Sequence, residues 1–397
     1  MVEKEADDPV QQPGSPPAGR QQDHHEQGHL KRKAQLGEPQ LDPVPPVGHR
    51  IPPCPQHSES VARRDTPARD RTRLGSMFAV YAAAPNPTDP LASLRIGARP
   101  EPAVPEGCVA VTVAAASLNM HDLWTLRGVG IKPDRFPMIL GCDGAGTLPD
   151  GSEVVIYPVI TSPGWVGDES LDPGRTLLTE KLQGTFADTV VVPARNVVPK
   201  PPALTFAQAA CMGTAWLTAY RMLFVKSGLR PGQTMLVQGA SGGVSTALIQ
   251  LGRATGMRVW VTGRTEDKRE LACSLGAHQA FEPGARLPER VDGVFETVGK
   301  ATWSHSAKSL KPGGIIVCSG ATSGDADRAE LQRLFFLQLR MVGSTMGTRD
   351  ELRDLLAFLD ISGLRPQIGA ELPMSDAERG FKTMLDGDTA GKIVFTR

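Results

Sequence analysis

Thr234-Met-Leu-Val-Gln-Gly-Ala-Ser-Gly-Gly-Val-Ser-Thr-Ala-Leu-Ile-Gln-Leu251 runs from an apolar strand into glycines that open a helix. It reads as a dinucleotide-binding turn. Gly239, Gly242 and Gly243 let the backbone turn tightly and come close to a ligand, while Ser241 and Val244 complete the loop. The helix beyond them aims its free N–H groups and the positive end of its dipole at a pyrophosphate. Val244, Ala247, Leu248 and Leu251 fall on one face, so this helix packs on a sheet. The spacing departs from G-x-G-x-x-G, and Ser245 stands where a third glycine often does, so the loop alone equally fits an ordinary βα turn.

The next stretch of chain completes a βαβ unit. Arg258-Val-Trp-Val-Thr reads as a second strand and 266–275 as a helix, ahead of the turn Gly276-Ala277. Sites that select NAD place an acidic residue about 20 residues after the glycine turn, on the ribose hydroxyls. Here that place holds Gly263-Arg264-Thr265, with Lys268 one turn later. A small residue followed by cations leaves room and charge for a 2′-phosphate, which favours NADP(H); the alternative is that Arg264 and Lys268 are solvated surface charges.

The chain has 397 residues, enough for two ordinary domains, and 43 basic residues balance 43 acidic ones. No charge bias calls for nucleic acid or an acidic membrane. Six cysteines without a C-x-x-C pair suit a reducing cytosol better than a disulfide framework. No apolar run approaches a membrane span. Residues 1–76 are rich in Pro, Gln, His, Arg and Asp, with almost no aromatic or β-branched residues, and are expected to be a disordered polar tail. His24, His25 and His29 could bind a metal and Lys31-Arg32-Lys33 an acidic partner, against the plainer reading of a solvated tail. From 77 to about 201 short strands, clearest at 109–113, 153–157 and 189–192, alternate with Gly and Pro breaks and predict an irregular β-rich domain. Alternating strands and helices over 202–344 predict a doubly wound parallel sheet of Rossmann type. The remainder, 345–397, carries one amphipathic helix, 349–361, and a last strand at 392–395.

Several segments together resemble the medium-chain dehydrogenase/reductase superfamily, in its zinc-free, quinone-oxidoreductase-like branch. They are Ser117-Leu-Asn-Met-His-Asp-Leu-Trp-Thr-Leu-Arg-Gly, Gly141-Cys-Asp-Gly-Ala-Gly, Gly184-Thr-Phe-Ala-Asp and Ala209-Ala-Cys-Met-Gly-Thr-Ala-Trp-Leu-Thr-Ala-Tyr. Leu236-Val-Gln-Gly-Ala-Ser-Gly-Gly-Val, Gly343-Ser-Thr-Met-Gly-Thr and the terminal Gly391-Lys-Ile-Val-Phe continue the series. Each is loose singly; their order over about 320 residues is specific. The resemblance implies a GroES-like catalytic domain, split into 77–201 and 345–397, around a Rossmann NADP-binding domain, with the active site between them and a homodimer formed by pairing Rossmann sheet edges.

Where zinc-dependent members carry ligands, this chain has Asn119, Cys142-Asp143 and Thr214, and 159–183, where a four-cysteine structural site would sit, has no cysteine. One thiolate does not make a zinc site, so no metal is expected. Without a Lewis acid the activated acceptor is a quinone or an α,β-unsaturated carbonyl, to which hydride adds to give a stabilised phenolate or enolate. The resemblance places His121 as the donor to the developing oxyanion, or alternatively as a structural histidine, and Asn119 and Trp124 beside the nicotinamide and substrate. It implies Thr214 on the nicotinamide side, and Ser319, Gly320, Ala321, Ser344 and Met346 offering backbone groups to the carboxamide. Thr297 and Val298 would flank the adenosine-side ribose, and Lys392 would lie near the phosphates. Asp122 reads as structural. The expected activity is NADPH-dependent reduction of small-molecule quinones or enones in the cytoplasm. The alternatives are a zinc-independent alcohol or aldehyde dehydrogenase, or a catalytically weak NADPH-binding sensor or scaffold.

Overall fold

The structure, a computed structural model, describes residues 75–388 and 390–397. The reading of 1–76 as a disordered tail therefore lies almost wholly outside the described residues. Six parallel strands form one sheet in the spatial order Gln279–Phe281, Arg258–Thr262, Thr234–Gln238, Val291–Glu296, Leu310–Cys318 and Arg340–Gly343. Numbered along the chain this is the order 3-2-1-4-5-6 of a doubly wound sheet. The central strand Thr234–Gln238 is buried at every position, as a strand covered by helices on both faces must be. The order reverses between it and Val291–Glu296, which opens a crevice at their carboxyl ends.

The glycine-turn run folds as its pattern predicts. Gly239 has φ +89°, open to glycine at no steric cost, and Gly242 in extended conformation precedes the helix Gly243–Ala254. Gly252, on the packed face of that helix, lies where a Cβ would come within 2.6 Å of Met235 Sδ, so the helix sits close on the sheet.

The second half is a seven-stranded sheet in which Cys108–Ser117 pairs with Asp143–Thr147, Thr189–Pro193 and Lys392–Thr396. Along Thr189–Pro193 burial alternates, with Val190 and Val192 inward. Ile368–Pro373 closes the sheet beside Lys392–Thr396, so the chain's last strand lies inside the sheet rather than at its edge. Phe186, Phe381 and Phe395 fill its core, the first and last edge to face with ring centres 5.0 Å apart.

Three features differ from the sequence reading. The segment Lys311-Pro-Gly-Gly, whose composition reads as a turn before a strand at 315–318, belongs to the strand Leu310–Cys318 as an irregularity in its register, with Gly313 at φ +75°. Residues Met212–Trp216 and Arg221–Ser227 are wound as π-helix, a form common near functional sites. The helix Arg349–Ser362 buries Leu352, Leu355, Leu356 and Leu359 in the same apolar cluster as Val237 and Leu248, so it packs with the nucleotide-type half while the strands on its far side return to the other sheet. Among the described residues no helix is long and apolar enough to cross a membrane.

Candidate active site

A cleft of about 770 Å³ lies at the crevice of the parallel sheet. One wall is the glycine turn from Gly239 to Val244; the facing wall is the start of the helix Met120–Arg127, with Asn119, His121 and Trp124. Thr214, Gly263, Arg264, Lys268, Thr297, Val298, Ser319, Gly320, Ala321, Met346 and Lys392 also line it, so these expected residues come together. Thr265 does not: it is exposed ahead of the helix Glu266–Ser274. Ser344 is also outside the lining, because its N–H is engaged by the Cys318 carbonyl at 2.8 Å as the chain leaves the strand Arg340–Gly343.

At the floor of the cleft the fully buried Asp143 gathers four polar side chains from three parts of the chain. One carboxylate oxygen accepts from Thr214 Oγ1 at 2.6 Å; the other accepts from Ser117 Oγ at 3.0 Å and Asn119 Nδ2 at 2.9 Å, with Lys392 Nζ 3.7 Å away. Lys392 Nζ also donates to the Leu118 carbonyl at 2.8 Å and to Asn119 Oδ1 at 2.5 Å. Lys392 borders the glycine turn with its stem. The stem passes Gly243, where a Cβ would lie 2.7 Å from Lys392 Cδ, but its ammonium goes on to Asn119 and Asp143 because those buried acceptors require a cation. Asn119 is saturated at both ends: its amide also donates to the Ser117 carbonyl at 3.1 Å. It therefore has no free N–H with which to hold a substrate oxygen in this arrangement. Cys142, fully buried beside Asn119 and Thr214, is a neutral thiol, its pKa pushed well up by burial. Among the described residues no three His, Cys, Asp or Glu side chains gather as metal ligands.

The helix Met120–Arg127 is started by Asp122, whose carboxylate accepts from the N–H of Asn119 at 2.9 Å and, reaching across to the next segment, from Gly141 N–H at 2.8 Å. Burial raises its pKa to about 7, the two N–H donors opposing that rise. Its role is structural, as the sequence suggested. One residue before it, His121 faces the cleft. Its Nε2 is buried without a hydrogen-bond partner and lies 3.9 Å from Glu180 Oε1. Burial lowers the imidazole pKa, opposed by the Glu180 carboxylate, the Leu178 carbonyl and Asp143, so the ring is neutral near pH 7. The Arg127 guanidinium stands over the Trp124 ring, 5.9 Å from its centre.

On the opposite side, Lys268 Nζ donates to the Gly387 carbonyl at 2.6 Å, and its pKa is lowered by burial and by Arg264. The turn carrying Thr297 and Val298 is organised by the buried Glu296, which accepts from the N–H groups of Val298 and Gly299 and from the hydroxyls of Thr302 and Ser306. Met346 has φ +52°, a left-handed conformation that a side chain rarely adopts and that clusters at functional sites. With Thr345 it forms a wall shared with a second cavity of about 390 Å³, also bordered by Arg175, Thr176, Leu177 and Glu180. Sequence reasoning missed Asp143 as the organiser, and it took in Glu180 only as one residue of 161–181, a stretch expected to form part of the pocket rim and to set specificity. Asp143 stood out only as half of a replaced ligand pair. Glu180 lies in a segment without periodicity or motif, so nothing local marks it.

The strand-and-cleft arrangement is matched by known proteins. Residues 243–360 match the family model described as zinc-binding dehydrogenase, and residues 105–202 the model described as alcohol dehydrogenase GroES-like domain. An acryloyl-coenzyme A reductase of Sulfurisphaera tokodaii is 26% identical over 318 residues, 74% of this chain and 94% of that protein. A quinone oxidoreductase of Mus musculus is 26% identical over 304 residues, 72% of this chain and 88% of that one. Among solved structures, an NAD-dependent alcohol dehydrogenase is 32% identical with a TM-score of 0.75, covering 81% of this chain and all of that one.

Proposed function

The chain belongs to the medium-chain dehydrogenase/reductase superfamily, in its quinone-oxidoreductase-like branch, and from that premise we propose that it reduces quinones or α,β-unsaturated carbonyls with NADPH and without zinc. It is an NAD(P)H-dependent oxidoreductase. The observation that carries the zinc-free reading is the state of Asp143. Its carboxylate is taken by the Thr214 and Ser117 hydroxyls and the Asn119 amide, with the Lys392 ammonium where a further cation would have to sit. A dication there would meet an amide, a hydroxyl, a buried neutral thiol and a like charge, a donor set that does not fit zinc.

NADPH fits the cleft through the glycine turn and the helix end behind it, with Arg264 and Lys268 beside the ribose position for the 2′-phosphate. When bound, the nicotinamide supplies a hydride. The chain's part is to hold the acceptor between the glycine turn and the helix Met120–Arg127, to exclude water, and to meet the charge that develops on the acceptor oxygen. His121 Nε2 suits that role: buried, unpartnered, on a ring neutral near pH 7, and in the Nε2–H tautomer able to donate and then be resupplied. Trp124 walls the acceptor, while Asn119 and Lys392 hold the floor rigid.

The testing measurement is NADPH oxidation by chelator-treated protein against quinones, enones, saturated aldehydes and alcohols. Turnover of quinones or enones that survives chelation is the expected result; activity lost on chelation and restored by zinc overturns the zinc-free reading. The 32% likeness to an alcohol dehydrogenase favours a second reading, zinc-independent alcohol oxidation, which turnover of saturated alcohols with NADP would establish instead. NADPH binding without any turnover would point to a sensor or scaffold.

A further inference from the structure

Glu180 is used on one side only. Its Oε2 accepts from Thr176 Oγ1 at 2.8 Å and from the Leu177 N–H at 2.9 Å, whereas Oε1 has no hydrogen-bond partner among the described residues and faces His121 Nε2 at 3.9 Å. That distance is too long for a direct hydrogen bond. The two atoms are nevertheless held in place. Thr179 is fixed in the left-handed region at φ +75°, a costly conformation for a β-branched residue, and its buried hydroxyl pairs with Thr125 Oγ1 at 3.1 Å. Thr125 lies one turn beyond His121 on the same helix, and its hydroxyl also donates to the His121 carbonyl at 3.1 Å. The segment bearing Glu180 and the helix bearing His121 are thus tied by a buried link, and the gap between their side chains is part of the fold. It opens to the main cleft on the His121 side and to the smaller cavity on the Glu180 side.

In its Nε2–H tautomer His121 presents a buried donor beside a carboxylate oxygen that can only accept. A ligand matches both when a carbonyl oxygen and an O–H sit on adjacent carbons, because two hydrogen bonds of about 2.8 Å then reach the two protein atoms from one edge of the ligand. An alkyl group there would leave the carboxylate oxygen unpaired against an apolar neighbour. We propose that the gap between His121 and Glu180 is a subsite for acceptors whose carbonyl carries a neighbouring hydroxyl, with Glu180 as the residue that selects them. This rests on the reading of the cleft as a carbonyl-acceptor site and narrows it from enones and quinones in general to α-hydroxy enones and hydroxyquinones. The carbonyl accepts from His121 and the hydroxyl donates to Glu180.

The test compares hydroxymethyl vinyl ketone with methoxymethyl vinyl ketone, which match in polarisation but differ in the one O–H, as acceptors for NADPH oxidation by the full chain. The hydroxyl compound should show kcat/KM higher by about tenfold or more, the worth of a hydrogen bond to a charged group. In Glu180→Ala that ratio should fall to near one, and in Glu180→Gln, which keeps a neutral acceptor, to an intermediate value. Equal kcat/KM for the two acceptors in the wild type, or a ratio unchanged in Glu180→Ala, would overturn the proposal. A measurement free of turnover and of variants separates it from the reading it rests on: titration of the wild-type protein with NADP⁺ present, using 1-hydroxybutan-2-one against 1-methoxybutan-2-one. Tighter binding of the hydroxy ketone without reduction of any enone would sink the reductase reading and keep the subsite; equal binding would sink the subsite whatever the activity.

Discussion

Asp122, which starts the helix that walls the cleft, and Lys392, which closes the cleft floor, respond to pH and to substitution in different ways. Asp122 titrates near 3.8 in an unfolded chain and near 7 in the fold, because burial disfavours its charge. The native state therefore binds the extra proton between those values, so this group's contribution to stability is full below about pH 4 and is lost as pH rises through about 7. On this basis wild type should lose stability relative to Asp122→Asn between pH 5 and pH 8, by on the order of 3 kcal/mol, read from urea unfolding at each pH. Parallel curves for the two proteins would refute the assignment. Lys392 is the only cation within reach of the buried Asp143 among the described residues, and Lys392→Met removes it while keeping the stem against Gly243. Loss of one partner of a buried pair costs on the order of 3 kcal/mol. The same unfolding measurement should show it, together with a lowered kcat as Asn119 loses its orientation. At the cofactor end Arg264→Ala and Lys268→Ala should each weaken NADPH more than NADH, measured by nicotinamide fluorescence. Equal losses would mean that these cations do not read the 2′-phosphate.

The helix Gly243–Ala254 shows what an element needs in order to serve this cleft. Its first residue has room only for hydrogen, between Lys392 Cδ at 2.7 Å and Ala215 Cβ at 3.1 Å from a would-be Cβ. Gly243→Ala should therefore cost about 1–3 kcal/mol through overpacking and should raise the KM for NADPH, since the strained neighbours are the cleft wall itself. A KM equal to wild type would show that the turn relaxes freely. This helix and its strand are legible in the chain because glycines, apolar periodicity and the next strand all act over a short span. The same holds for Arg258–Thr262, found at its observed bounds. The other wall is only half legible. Asn119, His121 and Trp124 stand on a short helix whose start is visible in the sequence, but what gives them meaning comes from far away: Asp143, Glu180 and Lys392 reach them from other strands and turns. No local pattern encodes that Asn119 meets a lysine 273 positions later, or that Met346 takes a left-handed turn without being glycine.

Among the described residues the outer strand of the parallel sheet, Arg340–Gly343, has one edge without a neighbouring strand, and the helix before it leaves Leu331, Phe335 and Phe336 at 65%, 71% and 79% exposure. An unpaired edge flanked by large apolar side chains is a surface for a second copy. We expect a homodimer in sedimentation, and Phe336→Glu together with Phe335→Glu should shift it to monomer; a monomeric wild type would dismiss the expectation. The placement of Lys392–Thr396 inside the other sheet has a consequence in time rather than space. The strand sits between Cys108–Ser117, from the far end of the described chain, and Ile368–Pro373, so the cleft floor is completed by one of the longest chain closures in the fold. Contacts so distant in sequence form slowly, because the entropy of closing the loop must be overcome before they stabilise anything. During refolding the parallel sheet can form from neighbours in sequence, while the ammonium that orders Asn119 arrives last, so recovery of a competent cleft should trail recovery of helical signal.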